Sequence, residues 1–245
     1  MLGTDEVHVW RATLSVGQPV LQSLLNTLSP DECIKAERFH FPKDRDRSIA
    51  ARAVLRLILS RYLEVKPNDL RFSYNRFGKP ALIGHSGADA LHFNMSHSGE
   101  LALYAIARGR EIGVDVEHVR EEFASEQIAV RFFSPNEVAM LRALPFNMRT
   151  QGFFNCWTRK EAYIKARGEG LSFPLDRFDV SLAPGEPAAL LRIGESEPEG
   201  DDEIAGDSKL ELSQWSLQEL SPGRSYAAAI AVQGCGWQLN CWQWT

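Results

Sequence analysis

Two carboxylates alternate along Gly113-Val-Asp-Val-Glu117. In an extended strand Asp115 and Glu117 lie on one face, roughly 7 Å apart, with Val114 and Val116 on the other. Such a pair either sits on a solvated strand or shares one hard cation. Mg²⁺ takes carboxylate and phosphate oxygens while keeping several waters. A second group lies on 151–167, where Phe153, Trp157 and Ile164 repeat at helical spacing and Lys160, Glu161 and Lys165 fall on or beside that apolar stripe. Charges beside a core-facing stripe are costly unless paired or used. Glu161 and Lys165 are four residues apart, so they either form a helical ion pair or supply a third carboxylate and an ammonium for phosphate oxygens. A third element, His92-Phe-Asn-Met-Ser-His-Ser-Gly99, runs from a strand into a polar turn and places Ser96 and His97 at the strand end. Finally, eight Lys and Arg residues crowd 35–61, among them Lys35, Arg47, Arg52 and Arg56. They make either the solvated face of two helices or an anion site. In the second case Ser48, with Arg47 beside it, stands at a helix start, where free N–H groups hold phosphate.

Three acids, two lysines, a histidine turn and an arginine-rich segment together describe a Mg²⁺–diphosphate site. Metal and basic residues neutralise charge on a transferring phosphoryl group, and a carboxylate can take a proton from the incoming hydroxyl.

These groups must be positioned by elements of both periods. Strands are expected at 7–14, 70–74, 91–95, 101–107 and 111–117, and a helix at 49–63, where Val54, Leu55, Ile58, Leu59 and Leu63 follow helical spacing. Ser29-Pro-Asp-Glu32 is a capping box with proline at the first helical position, and Ser134-Pro-Asn-Glu137 repeats it 105 residues later. Glu137 is read as the cap of that helix. The same offset lays the helix around Arg56 on the helix around Glu161. Short strands (70–73 and 170–173) follow these helices, and Ala-rich strands (102–107 and 226–232) close each half. The expected fold is therefore α+β, an internal duplication in which two similar α+β halves, 1–109 and 110–245, pack as a pseudo-dimer with a cleft between them.

At 245 residues and 27.5 kDa, with 44% hydrophobic and 24% charged residues, the chain is an ordinary globular mixture. It holds no apolar run long enough for a bilayer and no recognisable signal peptide. Cys33, Cys156, Cys235 and Cys241 show no C-x-x-C pairing, so reduced thiols in a cytoplasmic protein are expected. The net charge of −5 is local. Seven acids fall in 195–207, within a Gly- and Pro-rich stretch, 184–207, read as a long solvated loop; without those seven, 27 basic residues face 25 acidic ones, a net of +2. No broad basic surface for nucleic acid is implied. Trp237, Trp242 and Trp244 near the end are read as packing residues.

Gly113-Val-Asp-Val-Glu117 followed by Trp157-Thr-Arg-Lys-Glu-Ala-Tyr-Ile-Lys165 resembles the paired signature of the 4′-phosphopantetheinyl transferases. Arg38-Phe, Arg47, Arg52, Phe77-Gly-Lys-Pro80, Phe93-Asn-Met-Ser-His-Ser98 and Phe132-Phe-Ser-Pro-Asn-Glu137 resemble the larger, Sfp-type branch, and the match covers roughly 29–179. The resemblance implies transfer of phosphopantetheine from coenzyme A to a serine of an apo acyl or peptidyl carrier protein, releasing 3′,5′-ADP. It implies Mg²⁺, replaceable by Mn²⁺, on Asp115, Glu117 and Glu161. It makes Glu161 the base for the serine hydroxyl, directly or through water, and Lys165 the group that stabilises diphosphate and leaving group. It places Lys35, Arg47, Ser48, Arg52, Lys79, Pro80, Ser96 and His97 along the coenzyme A nucleotide, with Lys160 beside the phosphates. Glu32 departs from the pattern, since some relatives carry lysine there near the 3′-phosphate. A duplicated chain holds its cleft internally, which implies a monomer. Two other readings of the same residues are a Mg²⁺-dependent phosphohydrolase, since clustered carboxylates also serve metal-assisted hydrolysis, and a non-catalytic carrier-binding module.

Overall fold

Both capping boxes open helices where expected. Pro30–Glu37 (α2) begins after Ser29, whose N–H donates to the Glu32 carboxylate at 3.0 Å; Pro135–Ala143 (α5) begins after Ser134, whose N–H donates to Glu137 at 2.9 Å. Each precedes a 22-residue helix, Pro42–Leu63 (α3) and Phe146–Arg167 (α6). The computed structural model describes residues 2–194 and 207–245.

The two halves share one plan. Glu6–Thr13 (β1), Leu91–Ser98 (β4) and Leu101–Arg108 (β5) form an antiparallel array in the order β1-β5-β4; Ile112–His118 (β6), Trp215–Leu220 (β9) and Tyr226–Gln233 (β10) repeat it as β6-β10-β9. Short pairs sit beside them, Phe72–Tyr74 (β2) with Pro80–Leu82 (β3) and Phe178–Val180 (β7) with Leu190–Ile193 (β8). The smaller helices are Gln18–Leu25 (α1), Glu126–Phe132 (α4) and Asp207–Ser213 (α7). The mixed α+β duplication expected from the repeat is thus present. A central core of Val7, Val9, Leu103, Val114, Val116 and Ile230 joins the two sheets, and each long helix buries its apolar side in a core of its own half.

Several sequence expectations shift. The α3 helix starts at Pro42, not near Ser48, so Ser48 lies inside the helix and offers no free N-terminal amides. Its first two turns are the charged run Lys43–Arg47, which carries no apolar period because it faces solvent; the period begins where the helix turns inward at Ile49. The strand expected at 170–173 is a single 3₁₀ turn, and the strand comes later, at β7. Its glycine at 170 has φ +57, a conformation extended strands do not use. The stretch read as a loop from 184 contains β8, while residues 195–206, with most of the acids, lie outside the described residues. The last strand, Gln238–Gln243 (β11), leaves its own half and pairs in parallel with β1. Trp242 stacks on Trp10 at 5.1 Å and Arg61 covers Trp244, so these tail tryptophans pack. The four cysteines are free thiols, and no helix among the described residues is long and apolar enough to cross a membrane.

Candidate active site

Gly113 sets the distance between β6 and α6. A Cβ built there would lie 2.1 Å from the Ala162 carbonyl oxygen and 2.3 Å from the Ala166 nitrogen, so only glycine lets the helix backbone lie on the strand. The next two residues on that face, Asp115 and Glu117, are thereby brought against the last turns of α6, which carry Glu161 and Lys165. Lys165 Nζ donates to Asp115 Oδ1 at 2.6 Å and to Ser96 Oγ at 3.1 Å. The ion pair of Lys165 therefore crosses to the strand rather than running along the helix to Glu161. Ser96 Oγ donates to Asp115 at 2.8 Å, and Ser98 Oγ donates to Glu117 at 2.7 Å.

Electrostatics follow from this crowding. Burial first, then the charges of Asp115 and Glu117, push Glu161 up to about 7, against the pull of Lys165. Glu117 is raised for the same reasons, burial first, with the Ser98 hydrogen bond and Lys165 opposing. Asp115 is 3% exposed, and its Oδ2 is buried without a hydrogen-bond partner. A carboxylate oxygen left so is uncommon, and it is the coordination position a cation would take. Among the described residues no three His, Cys, Asp or Glu side chains already form a closed cage. The carboxylates suit a hydrated ion that completes its shell with water and phosphate oxygens, the habit of Mg²⁺.

Beyond β4 lies a groove of about 190 Å³, walled by Lys35, Ser48, Arg52, Tyr74, Met95 and His97. It continues past Arg52 and Tyr74 into a second depression lined by Asp31, Asn68 and Arg71. Lys35 stands 5.0 Å above the Tyr74 ring. The His97 imidazole sits below its ordinary range through partial desolvation and the nearby charges of Lys165 and Arg47. Strand β4 serves both places, because its side chains alternate: Met95 and His97 face the groove, Ser96 and Ser98 face the carboxylates.

Not every residue singled out in the sequence joins the site. Lys160 is fully buried; its Nζ pairs with Glu137 at 2.7 Å and donates to the carbonyls of Leu175 and Phe178. It holds the fold together and cannot reach a phosphate in the cleft. Glu137 is correspondingly a cap and an ion-pair partner, and also accepts the Val180 N–H. The Lys79 ammonium spans to the other half, donating to Glu111 and to the Ala166 carbonyl, each at 2.6 Å. Pro80 starts β3 opposite Tyr74, outside the groove lining. Arg47 pairs with Glu100 at 3.2 Å at the cleft edge. Arg52 lines the groove but is bonded to Glu32 and stacks 4.2 Å from Phe72. Glu32 is buried between Arg52 and Arg56 and so neutralises charge there. Sequence reasoning missed Tyr74 and Met95 as walls, Glu111, and the roles of Asn94 and Ser98. The signal for the last two was available: polar residues at 94, 96 and 98 alternate with Phe93, Met95 and His97 along the strand.

Residues 111–231 match the 4′-phosphopantetheinyl transferase superfamily, and residues 10–108 match the 4′-phosphopantetheinyl transferase N-terminal region. The chain is 42% identical over 241 residues to the 4′-phosphopantetheinyl transferase HetI of Nostoc sp., covering 98% of this chain and 93% of that one. It is 36% identical to a putative 4′-phosphopantetheinyl transferase of Synechocystis sp., covering 68% of each. It is 35% identical to the 4′-phosphopantetheinyl transferase Sfp of Bacillus subtilis, covering 66% of this chain and 69% of that one. With both halves matched and a cluster of carboxylates assembled at their junction, the chain belongs to the 4′-phosphopantetheinyl transferase superfamily.

Proposed function

We propose that the junction of the two halves transfers 4′-phosphopantetheine from coenzyme A to a serine hydroxyl of an apo acyl or peptidyl carrier protein. The observation that carries this reading is Glu161. Its carboxyl is pushed to about 7 within reach of the charges of Asp115, Glu117 and Lys165, beside a basic groove on the opposite face of β4. Its place beside Asp115, Glu117 and Lys165 lets this carboxylate take a proton from an alcohol bound at the cluster.

In this reading Lys35, Ser48, Tyr74 and His97 hold the nucleotide end of coenzyme A, and Asp115, Glu117 and Glu161 hold Mg²⁺ or Mn²⁺. When bound, that cation neutralises charge on the diphosphate. The serine oxygen bonds to the phosphorus that bears pantetheine, and the bond from that phosphorus to the bridging oxygen breaks, leaving 3′,5′-ADP. Glu161 takes the hydroxyl proton, directly or through a water. Lys165 steadies the negative charge left on the departing diphosphate oxygen. Both walls of the cleft come from one chain, so a monomer suffices.

Incubation with coenzyme A, Mg²⁺ and apo carrier proteins, followed by intact-mass measurement, tests this. One phosphopantetheine gained per carrier, and none with EDTA, is the expected result. Coenzyme A hydrolysis without any gain on a carrier would overturn it.

A further inference from the structure

Strands β4 and β6 are edge strands of different sheets, and among the described residues they share no backbone ladder. They lie side by side all the same, bridged by side chains. The Val114 N–H donates to Asn94 Oδ1 at 3.0 Å, the Val116 N–H to Ser96 Oγ at 3.4 Å, and the His118 N–H to Ser98 Oγ at 3.0 Å. The offset is 20 residues at each rung, so the strands run parallel and in register. Three edge amides of β6, which would otherwise lack partners at the junction, are satisfied in this way.

The rungs end on the carboxylates. A serine hydroxyl has one proton to donate. Having accepted a β6 amide, Ser96 gives its proton to Asp115 Oδ1, and Ser98 gives its own to Glu117 Oε2. Each hydroxyl is thus fixed at both ends. The strand's backbone and the side chain one residue before it are held by the same atom, which removes rotational freedom from that carboxylate.

We propose that Asn94, Ser96 and Ser98 act as a positioning ladder, in which Ser98 fixes Glu117, and Ser96 fixes Asp115, in the orientation that receives the cation. Asn94 anchors the ladder at Val114, next to Gly113, where α6 touches the strand. Ser98 is a positioning residue: it acts through Glu117. Because β4 turns its alternate residues, Met95 and His97, into the nucleotide groove, the ladder also sets the groove and the carboxylates in one frame. The inference rests on the metal reading of the preceding section.

The test separates the two. Mn²⁺ binding is titrated by electron paramagnetic resonance in the presence of coenzyme A, for the unmodified protein and for Asp115→Asn, Ser98→Ala and Ser98→Thr. Orienting groups behind metal ligands typically govern about 10–100-fold in affinity. Ser98→Ala is expected to weaken Mn²⁺ binding about tenfold, Ser98→Thr to stay within about twofold because it keeps the hydroxyl, and coenzyme A binding in EDTA to be unchanged in both. Unaltered Mn²⁺ affinity in Ser98→Ala overturns the ladder and leaves the metal reading standing. Equal loss of coenzyme A binding in EDTA also overturns it, since Ser98 would then contact the nucleotide. Indistinguishable Mn²⁺ binding by the unmodified protein and Asp115→Asn overturns the metal reading, and the ladder falls with it.

Discussion

In the N-terminal half, the helix-facing positions of β1 hold His8 and Trp10, both hydrogen-bonded to the Tyr62 hydroxyl on α3 at 2.6 and 2.8 Å. In the C-terminal half, the helix-facing positions of β6 hold Gly113, Asp115 and Glu117. The sheets have the same order and the helices the same length, yet one strand–helix contact is filled by aromatic rings and the other by carboxylates and an ammonium. Behind both lies the same buried device. Arg56 pairs with the capping-box Glu32 and donates to the Pro67 and Leu70 carbonyls; Lys160 pairs with the capping-box Glu137 and donates to the Leu175 and Phe178 carbonyls. Each cation ties a long helix to the short helix before it and the chain after it. The duplication has kept the scaffold cation in both halves and put a carboxylate cluster on one strand face only.

The sharpest way to break this contrast is to remove the carboxylates. Asp115→Ala and Glu161→Ala are each expected to lower transfer by about 10²–10⁴-fold, the range for general-base and metal-holding groups, with the melting temperature held. Rates come from intact-mass time courses. Near-normal turnover in Glu161→Ala would take the base role from that residue.

Lys160 should behave in the opposite way. Lys160→Met leaves Glu137 buried without its cation and should cost about 3–5 kcal/mol of stability in urea titrations. Coenzyme A affinity of the folded protein should be unchanged. Arg56→Met should cost a similar amount in the other half. A stable Lys160→Met that fails to bind coenzyme A would restore the phosphate role suggested by its neighbours in the sequence.

That contrast shows what was legible in the chain. The periods of 2 and 3.6, the two capping boxes and their spacing disclosed the duplicated α+β plan, because each is a local rule with a local cause. Asp115 and Glu117 could be paired because they alternate on one strand face, and Glu161 and Lys165 joined to them because charges beside an apolar stripe demand a partner. Lys160 obeys the same rule, but its partner is Glu137, 23 residues earlier on another helix, and nothing local distinguishes a buried ion pair from a site. Ser48 was misplaced because an exposed charged run carries no helical period. The destination of β11, beside β1 in the other half, is a long-range pairing that no residue near it announces.

Gly113 tests how close the two elements of the site must be. Gly113→Ala has no room against the α6 backbone and is expected to cost about 1–3 kcal/mol by overpacking. The helix would move off β6, so transfer should fall further than stability alone explains. By contrast Val7→Ala on β1, which faces the central core and not a long helix, opens space there and should lower stability without a separate effect on rate.

The smallest expected effect concerns the clamp between the halves. Burial alone would raise the Glu111 carboxyl, but His92 and Lys79 outweigh it and hold the group at about 2, against an ordinary 4.5. A depressed carboxylate contributes stability above pH 4.5 that is lost as pH falls towards 2. Glu111 is 40% exposed on its side chain, so screening limits the gain to about 1 kcal/mol or less. Lys79 also holds the Ala166 carbonyl, one residue beyond Lys165, so the clamp ties the β2–β3 hairpin to the end of α6. Glu111→Gln should therefore flatten the stability profile between pH 4.5 and 2 while changing stability at pH 7 only slightly. Urea titrations across that range provide the measurement. An unchanged acid profile would mean that Lys79 is held chiefly by the helix carbonyl, and that the halves are joined there by a capping contact rather than by charge.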